Sequence, residues 1–156
     1  AKIKAFVDTR TSEDFLLFAR TDAIAVHGFD DAVERGNRYL EAGADVVFVE
    51  APVDRAQAEA LPRLIPGPLL YNWVYAGKSP LVARDELQAL GYRFYLQADV
   101  LYAVSHALHF YFSELKRTGA YGDAQARMIT FAEFNEIVGL ADIAAAEAKY
   151  EPRRNA

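Results

Sequence analysis

Cysteine is absent from the 156 residues, so neither a disulfide framework nor a thiolate zinc site can be built. An excess of positive charge is absent too: 17 Lys and Arg stand against 22 Asp and Glu, a net charge of −5. A nucleic-acid-binding protein needs a basic stripe to meet phosphates, and this balance argues against one. A single arginine can still hold a small carboxylate. No apolar run approaches the roughly 20 residues that span a bilayer. Ala1-Lys2-Ile3-Lys4 lacks the apolar centre of a secretory leader. The expectation is a cytoplasmic protein with no nucleic-acid and no membrane partner. No GxGxxG or Walker A loop occurs, which lowers the case for a doubly wound nucleotide-binding sheet. An initiator methionine is also missing. Ile3, Phe6 and Val7 already have helical spacing, so the chain reads as part of something longer.

What is present is apolar material, 53% of the residues, arranged in alternating short runs and amphipathic stretches. Phe15–Ala19 reads as a strand buried on both faces and ending in Arg20-Thr21-Asp22, as in a parallel sheet. Asp30 or Asp31 caps a helix that runs to Ala42 and stops at Gly43. The cycle repeats with a strand at Asp45–Val49 ending in Glu50, and a helix at Arg55–Leu64. A third strand, Leu69–Tyr71, ends in Asn72, and a helix follows at Leu81–Leu90. The fourth strand is Phe94–Gln97, with a long helix from Leu101 to Arg117. Weaker helices are expected at Phe131–Val138, with Thr130 and Glu133 as a capping box, and at Ile143–Lys149. Pro152–Asn155 reads as a frayed end. No linker divides the chain, so residues 1–156 read as one α/β domain with a helical tail over 120–156. Strand–helix alternation implies parallel strands with right-handed crossovers. Four units fit either a complete open sheet or half of an eight-unit barrel.

Parallel α/β folds carry their chemistry at the carboxyl ends of the strands. That rule selects Arg20-Thr21-Asp22, Glu50, Asn72 and Gln97-Ala98-Asp99. Arg20 can bind a carboxylate bidentately. Glu50 can act as a general acid or base, or accept from a hydroxyl. Asn72 can donate and accept. Plainer readings stand beside these: Arg20 paired with Asp22, Glu50 as an ordinary rim residue, and Asn72 as a turn former. His106 and His109 lie three apart on the long helix, but two ligands do not make a metal site. With Tyr102, Phe110, Tyr111 and Phe112 around them, packing or a subunit contact is the better reading. His27 falls in a loop near the rim.

Phe15–Ala23, FLLFARTDA, resembles the ARTDA strand of the isocitrate lyase and phosphoenolpyruvate mutase superfamily. AVERGNRYLEAGADVVFVEAP, over 32–52, is similar to its next helix and strand, and NWVYAGKSP, over 72–80, to the following loop. Glu86-Leu87, Leu90-Gly91-Tyr92 and Met128–Asn135 continue the match. The last segment resembles the tail of the dimethylmalate lyase, oxaloacetate hydrolase and petal-death-protein branch, and the chain as a whole is most similar to the branch of methylisocitrate lyase, dimethylmalate lyase, oxaloacetate hydrolase and carboxyphosphoenolpyruvate mutase. The resemblance implies a (β/α)₈ TIM-type barrel, with this chain supplying about its last four strand–helix units plus C-terminal helices. It implies a Mg²⁺-dependent carbon–carbon lyase or hydrolase acting on a small 2-keto or 2-hydroxy dicarboxylate once the barrel is complete. A phosphonomutase-type enzyme and a non-catalytic half barrel are the alternatives.

By the same resemblance Arg20 holds a carboxylate or phosphonate, Glu50 contacts the substrate in the lyase manner, and Asn72 contacts a carboxylate on the far side. Gly77 and Pro80 shape the loop between. Val74, Tyr75 and Ala76 depart from the usual loop, where hydroxyl-bearing and acidic residues are common. The Mg²⁺ ligands are expected outside this chain, on earlier strands. The family also implies a homo-oligomer, a tetramer with C-terminal helix contacts. A half barrel alone would leave two open edge strands and one side of a core uncovered, so a stable monomer of these residues is not expected.

Overall fold

The computed structural model describes residues 1–150; the expected frayed stretch Pro152–Asn155 lies outside the described residues. By its internal contacts the chain divides into two compact units, Ala1–Ala103 and the segment from Val104 onward.

The first unit opens with helix α1 (Lys2–Thr9) and strand β1 (Phe18–Thr21). A short helix α2 (Ala23–His27), helix α3 (Phe29–Glu41), strand β2 (Val46–Val49) and helix α4 (Arg55–Leu64) follow. Strand β3 (Leu69–Trp73), helix α5 (Arg84–Leu90) and strand β4 (Phe94–Gln97) complete it. The strands form one parallel sheet in the order β1-β2-β3-β4. Sequential order with a helix between neighbours is the βαβ pattern that the alternation predicts.

The helices cover one face of this sheet. Val47 and Val49 of β2, Leu69 and Tyr71 of β3, Ala32, Ala58, Leu61, Ile65, Leu87 and Tyr92 form the buried core. Gly36 lets α3 approach, since a Cβ there would press on Ile65 Cδ1 and Val47 Cγ1. Two phenols are buried with their hydroxyls satisfied: Tyr71 donates to the Pro80 carbonyl at 2.7 Å and Tyr92 to the Ala58 carbonyl at 2.8 Å. Burial raises the Tyr71 pKa to about 12 and pushes Tyr92 up as well. The two rings meet edge to face, 5.1 Å apart.

The opposite face is concave. Phe18 on β1 and Phe94 on β4 are separated by two intervening strands, about 14 Å along a flat sheet. Their rings nevertheless meet at 4.9 Å. The sheet is therefore strongly curled, as a segment of barrel wall is.

Several expectations need correction. The first strand begins three residues later than Phe15. Asp45 accepts hydrogen bonds from the Leu17 N–H and from Arg10, both at 2.7 Å, and this fixes where pairing with β2 starts. Phe15, 63% exposed, instead stacks on Phe6 of α1. Burial on both faces holds only for β2, because β1 alternates exposed and buried positions. The cap of α3 is Gly28, whose φ of 95° opens the turn, with Asp30 and Asp31 in the first helical turn. Helix α2 was not anticipated. Helix α5 starts at Arg84 rather than Leu81, after Ala83 in extended conformation.

Helix α6 (Val100–Thr118) leads into the second unit, where a 3₁₀ turn (Gly122–Arg127) and helices α7 (Phe131–Ile137) and α8 (Leu140–Ala148) follow. The capping box of α7 is present: Glu133 N–H donates to Thr130 Oγ1, and the Glu133 carboxylate accepts from Thr130 N–H. The Glu114 carboxylate accepts from Arg117 and from the Asp123 N–H, which hold its pKa down at about 2. His106 and His109 lie on α6, and His106 lines an apolar hollow with Phe110, Tyr111 and Met128.

Candidate substrate cleft

A cleft of about 330 Å³ opens at the carboxyl end of the sheet. Asp22, Glu50, Ala51, Asn72, Val74, Gly77, Lys78 and Ser79 are among its lining residues. Three of the four strands deliver lining residues as they end, Asp22 after β1, Glu50 after β2 and Asn72 on β3, and Arg20 stands beside the lining in contact with Glu50. Arg20 is the third residue of β1, Glu50 follows β2 directly, and Asn72 is the fourth residue of β3. Parallel register brings these three ends to one rim.

The three side chains touch. Arg20 Nη2 lies 3.4 Å from Glu50 Oε2, and Asn72 Nδ2 donates to that same oxygen at 3.4 Å. Arg20 also donates two hydrogen bonds to Asp22, at 2.8 and 3.1 Å. Its guanidinium sits over the Phe48 ring, 4.8 Å from the centroid, a cation–π contact. The Arg20 pKa is raised, first by the Asp22 hydrogen bond and then by the Glu50 charge. The Asp22 carboxyl is held below its ordinary range by the Arg20 hydrogen bond. Asp22 is more than half exposed, so this pair is screened and contributes little to stability. The pairing of Arg20 with Asp22 is real, and it coexists with the approach to Glu50.

One polar atom in this group is left over. With its Nδ2 turned to Glu50, Asn72 presents a buried Oδ1 that has no hydrogen-bond partner. Reversing the amide would set two oxygens against each other, so the donor to Glu50 is fixed by chemistry. A buried acceptor without a partner costs ~1–3 kcal/mol, and a donor arriving in the cleft would recover that cost.

The walls are shaped by backbone as much as by side chains. Ala51 and Ala76 have φ of 56° and 58°, left-handed values that cost an L-residue about 1 kcal/mol or more. Ala51 turns the chain sharply after Glu50. Ala76 and Gly77 close a turn in which Gly77 N–H donates to the Val74 carbonyl at 3.0 Å. Tyr71 ties the far end of this loop through the Pro80 carbonyl. Asp99 accepts from the Tyr75 N–H at 3.4 Å; neither it nor Gln97 lines the cleft. Thr21 is buried and accepts from the Ala23 N–H. His27 ends α2 and lines a separate hollow with Arg20, Arg35 and Tyr39. Lys78 and Ser79 line the cleft without having been singled out in the sequence.

The donor set does not suit Mg²⁺. The two carboxylates of the cleft, Asp22 and Glu50, both face Arg20, and a divalent cation there would sit against the guanidinium. Among the described residues no group of three His, Asp or Glu could hold a metal ion. No helix among them is long and apolar enough to cross a membrane.

A curled parallel sheet with helices outside and a polar rim at its strand ends is about half of a (β/α)₈ barrel. The chain belongs to the phosphoenolpyruvate phosphomutase family, whose model matches residues 1–107, within the isocitrate lyase and phosphoenolpyruvate mutase superfamily. A 2,3-dimethylmalate lyase from Eubacterium barkeri is 40% identical over 98% of this chain and 53% of its own length. The solved structure of oxaloacetate acetylhydrolase in complex with the product oxalate matches 97% of this chain and 53% of its own, with TM-score 0.84 and 32% identity. A phosphonopyruvate hydrolase in complex with oxalate and Mg²⁺ matches 97% of this chain and 54% of its own, with TM-score 0.75 and 27% identity. The chain thus spans about half the length of the relatives it matches.

Proposed function

We propose that this cleft is the substrate-gripping half of the active site of a carbon–carbon lyase or hydrolase, acting on a small 2-keto or 2-hydroxy dicarboxylate in the complete barrel. The observation that carries this reading is the meeting of Arg20, Glu50 and Asn72 at adjoining strand ends, with the Asn72 Oδ1 left unpartnered. Arg20 exchanges Asp22 for a substrate carboxylate. The guanidinium fork suits that exchange because the two partners are chemically alike. Glu50 and the Asn72 Oδ1 are both acceptors, and a substrate hydroxyl is a donor that either can accept from. In the cleavage of a 2-hydroxy acid the hydroxyl proton leaves to a base, the hydroxyl oxygen becomes the new carbonyl, the C–C bond breaks, and its electron pair enters a carboxylate-stabilised enolate that is then protonated; a 2-keto acid first adds water across its carbonyl to present such a hydroxyl. Mg²⁺, held by ligands outside residues 1–150, would stabilise the developing oxyanion. The same reading makes the protein a homo-oligomer whose tail helices take part in subunit contacts.

The test is an assay of the natural protein containing this chain, with Mg²⁺ and with oxaloacetate, 2-methylisocitrate and 2,3-dimethylmalate offered separately. Release of a keto acid or a cleaved dicarboxylate from one of them is expected. Turnover of none of them, together with P–C bond formation or rearrangement seen by ³¹P NMR, would establish the mutase alternative. That alternative draws on the family model and on a chloroplastic carboxyvinyl-carboxyphosphonate phosphorylmutase of Arabidopsis thaliana, 38% identical to this chain.

A further inference from the structure

We propose that Lys78 is the second anion-binding group of the cleft and takes the substrate carboxylate farthest from Arg20. This role rests on the diacid-binding function proposed for the cleft. It adds a specificity-determining residue from the loop after β3.

The charges that these residues bring to the cleft favour such a group. Arg20 is already matched by Asp22 and Glu50, so these three together carry one excess negative charge. A dianion entering that field would be repelled. Lys78 lines the cleft together with Asp22 and Glu50, is exposed, and makes no ion pair or side-chain hydrogen bond with the described residues. It is the cation of the cleft left without an acid opposite it. An ammonium on a flexible stem serves as a point charge that can follow a ligand.

Placement supports the same role. Arg20 belongs to β1, whereas Lys78 sits in the loop that leaves β3, with β2 between them. An acid with a carboxylate at each end can meet two cations that different strands deliver, whereas a monoacid meets one of them. The loop is also anchored where it needs to be. Tyr71 holds the Pro80 carbonyl, Gly77 closes on Val74, and Asp99 holds the Tyr75 N–H. Lys78 is therefore an exposed, unpaired side chain on an anchored turn.

Titration calorimetry on the natural protein tests this, with malate as the dianionic 2-hydroxy acid and lactate as its monoanionic counterpart. Lys78→Met should weaken malate about tenfold or more, Lys78→Arg should retain most of the affinity, and lactate should bind each variant as it binds the wild type. Because Lys78 touches no acid, both variants should melt with the wild type. Malate affinity unchanged in Lys78→Met, or equal losses for malate and lactate, would overturn the role. Arg20→Gln separates the two ideas. If it weakens both acids while Lys78→Met weakens neither, Lys78 fails and the diacid cleft stands. If Arg20→Gln changes nothing, or the wild type binds no malate, the cleft reading fails and takes Lys78 with it.

Discussion

Strand β2 and helix α7 are both rich in apolar side chains and have opposite surroundings. Val46, Val47, Phe48 and Val49 are each at most 8% exposed. Phe131, Phe134 and Ile137 are 81%, 51% and 72% exposed. Apolarity alone does not place a residue; neighbours do. β2 is the second strand of four, paired on both sides and roofed by helices. Helix α7 is held by local devices instead: its capping box, the turn at Gly139 and contacts with α8. The first unit is a packed core that supports a site. The second is a run of helices secured by polar contacts near in sequence, with its apolar side chains presented outward.

Substitutions should sharpen this contrast. The largest effect is expected for Ile65→Ala, which empties a fully buried position between α3, α4 and the sheet. A loss of ~2–5 kcal/mol in denaturant unfolding is expected for such a cavity. Ile137→Ala, at a position 72% exposed, should leave unfolding free energy nearly unchanged, within ~0.5 kcal/mol. An equal unfolding cost at both sites would break the contrast, because it would mean that the α7 face is packed like a core.

Gly122→Ala comes next. Gly122 has φ of 52°, and a Cβ there would run into the Glu114 carboxylate. A cost of about 1–3 kcal/mol is expected from strain and the displaced acceptor, read as a lower melting temperature. Thr130→Ala should cost ~1 kcal/mol by removing one half of the capping box, with helix content the measurement.

Acid should act on the second unit through Glu114. Its folded pKa, about 2, is below the ordinary 4.5, so the carboxylate contributes stability above the ordinary value. That contribution declines as pH falls from about 4.5 toward 2 and is gone below both values. Glu114→Gln should flatten this part of an acid titration followed by circular dichroism.

The sequence made the order of elements legible because apolar runs and helix stops alternate cleanly from Asp45 to Gly91. It misled at Phe15–Ala19, where the start of β1 depends on a hydrogen bond from Leu17 to Asp45, 28 residues away. No local pattern encodes such a partner. The convergence of Arg20, Glu50 and Asn72 at adjoining strand ends was legible because strand ends are marked by a sudden change from apolar to polar. The place of Lys78 in the cleft lining was not, because it lies six residues past Asn72, inside a loop that no strand-end rule reaches. The left-handed turns at Ala51 and Ala76 were hidden for a different reason: alanine gives no signal for a conformation that glycine normally takes.

The most direct test of the central claim is kcat/KM for Arg20→Gln in the natural protein, measured with whichever diacid it cleaves. Loss of a charge-assisted, bidentate carboxylate contact is expected to lower kcat/KM by about a hundredfold or more, with folding intact by circular dichroism. A variant that folds and turns over at the wild-type rate would contradict the assignment of this cleft as the place where the substrate is held.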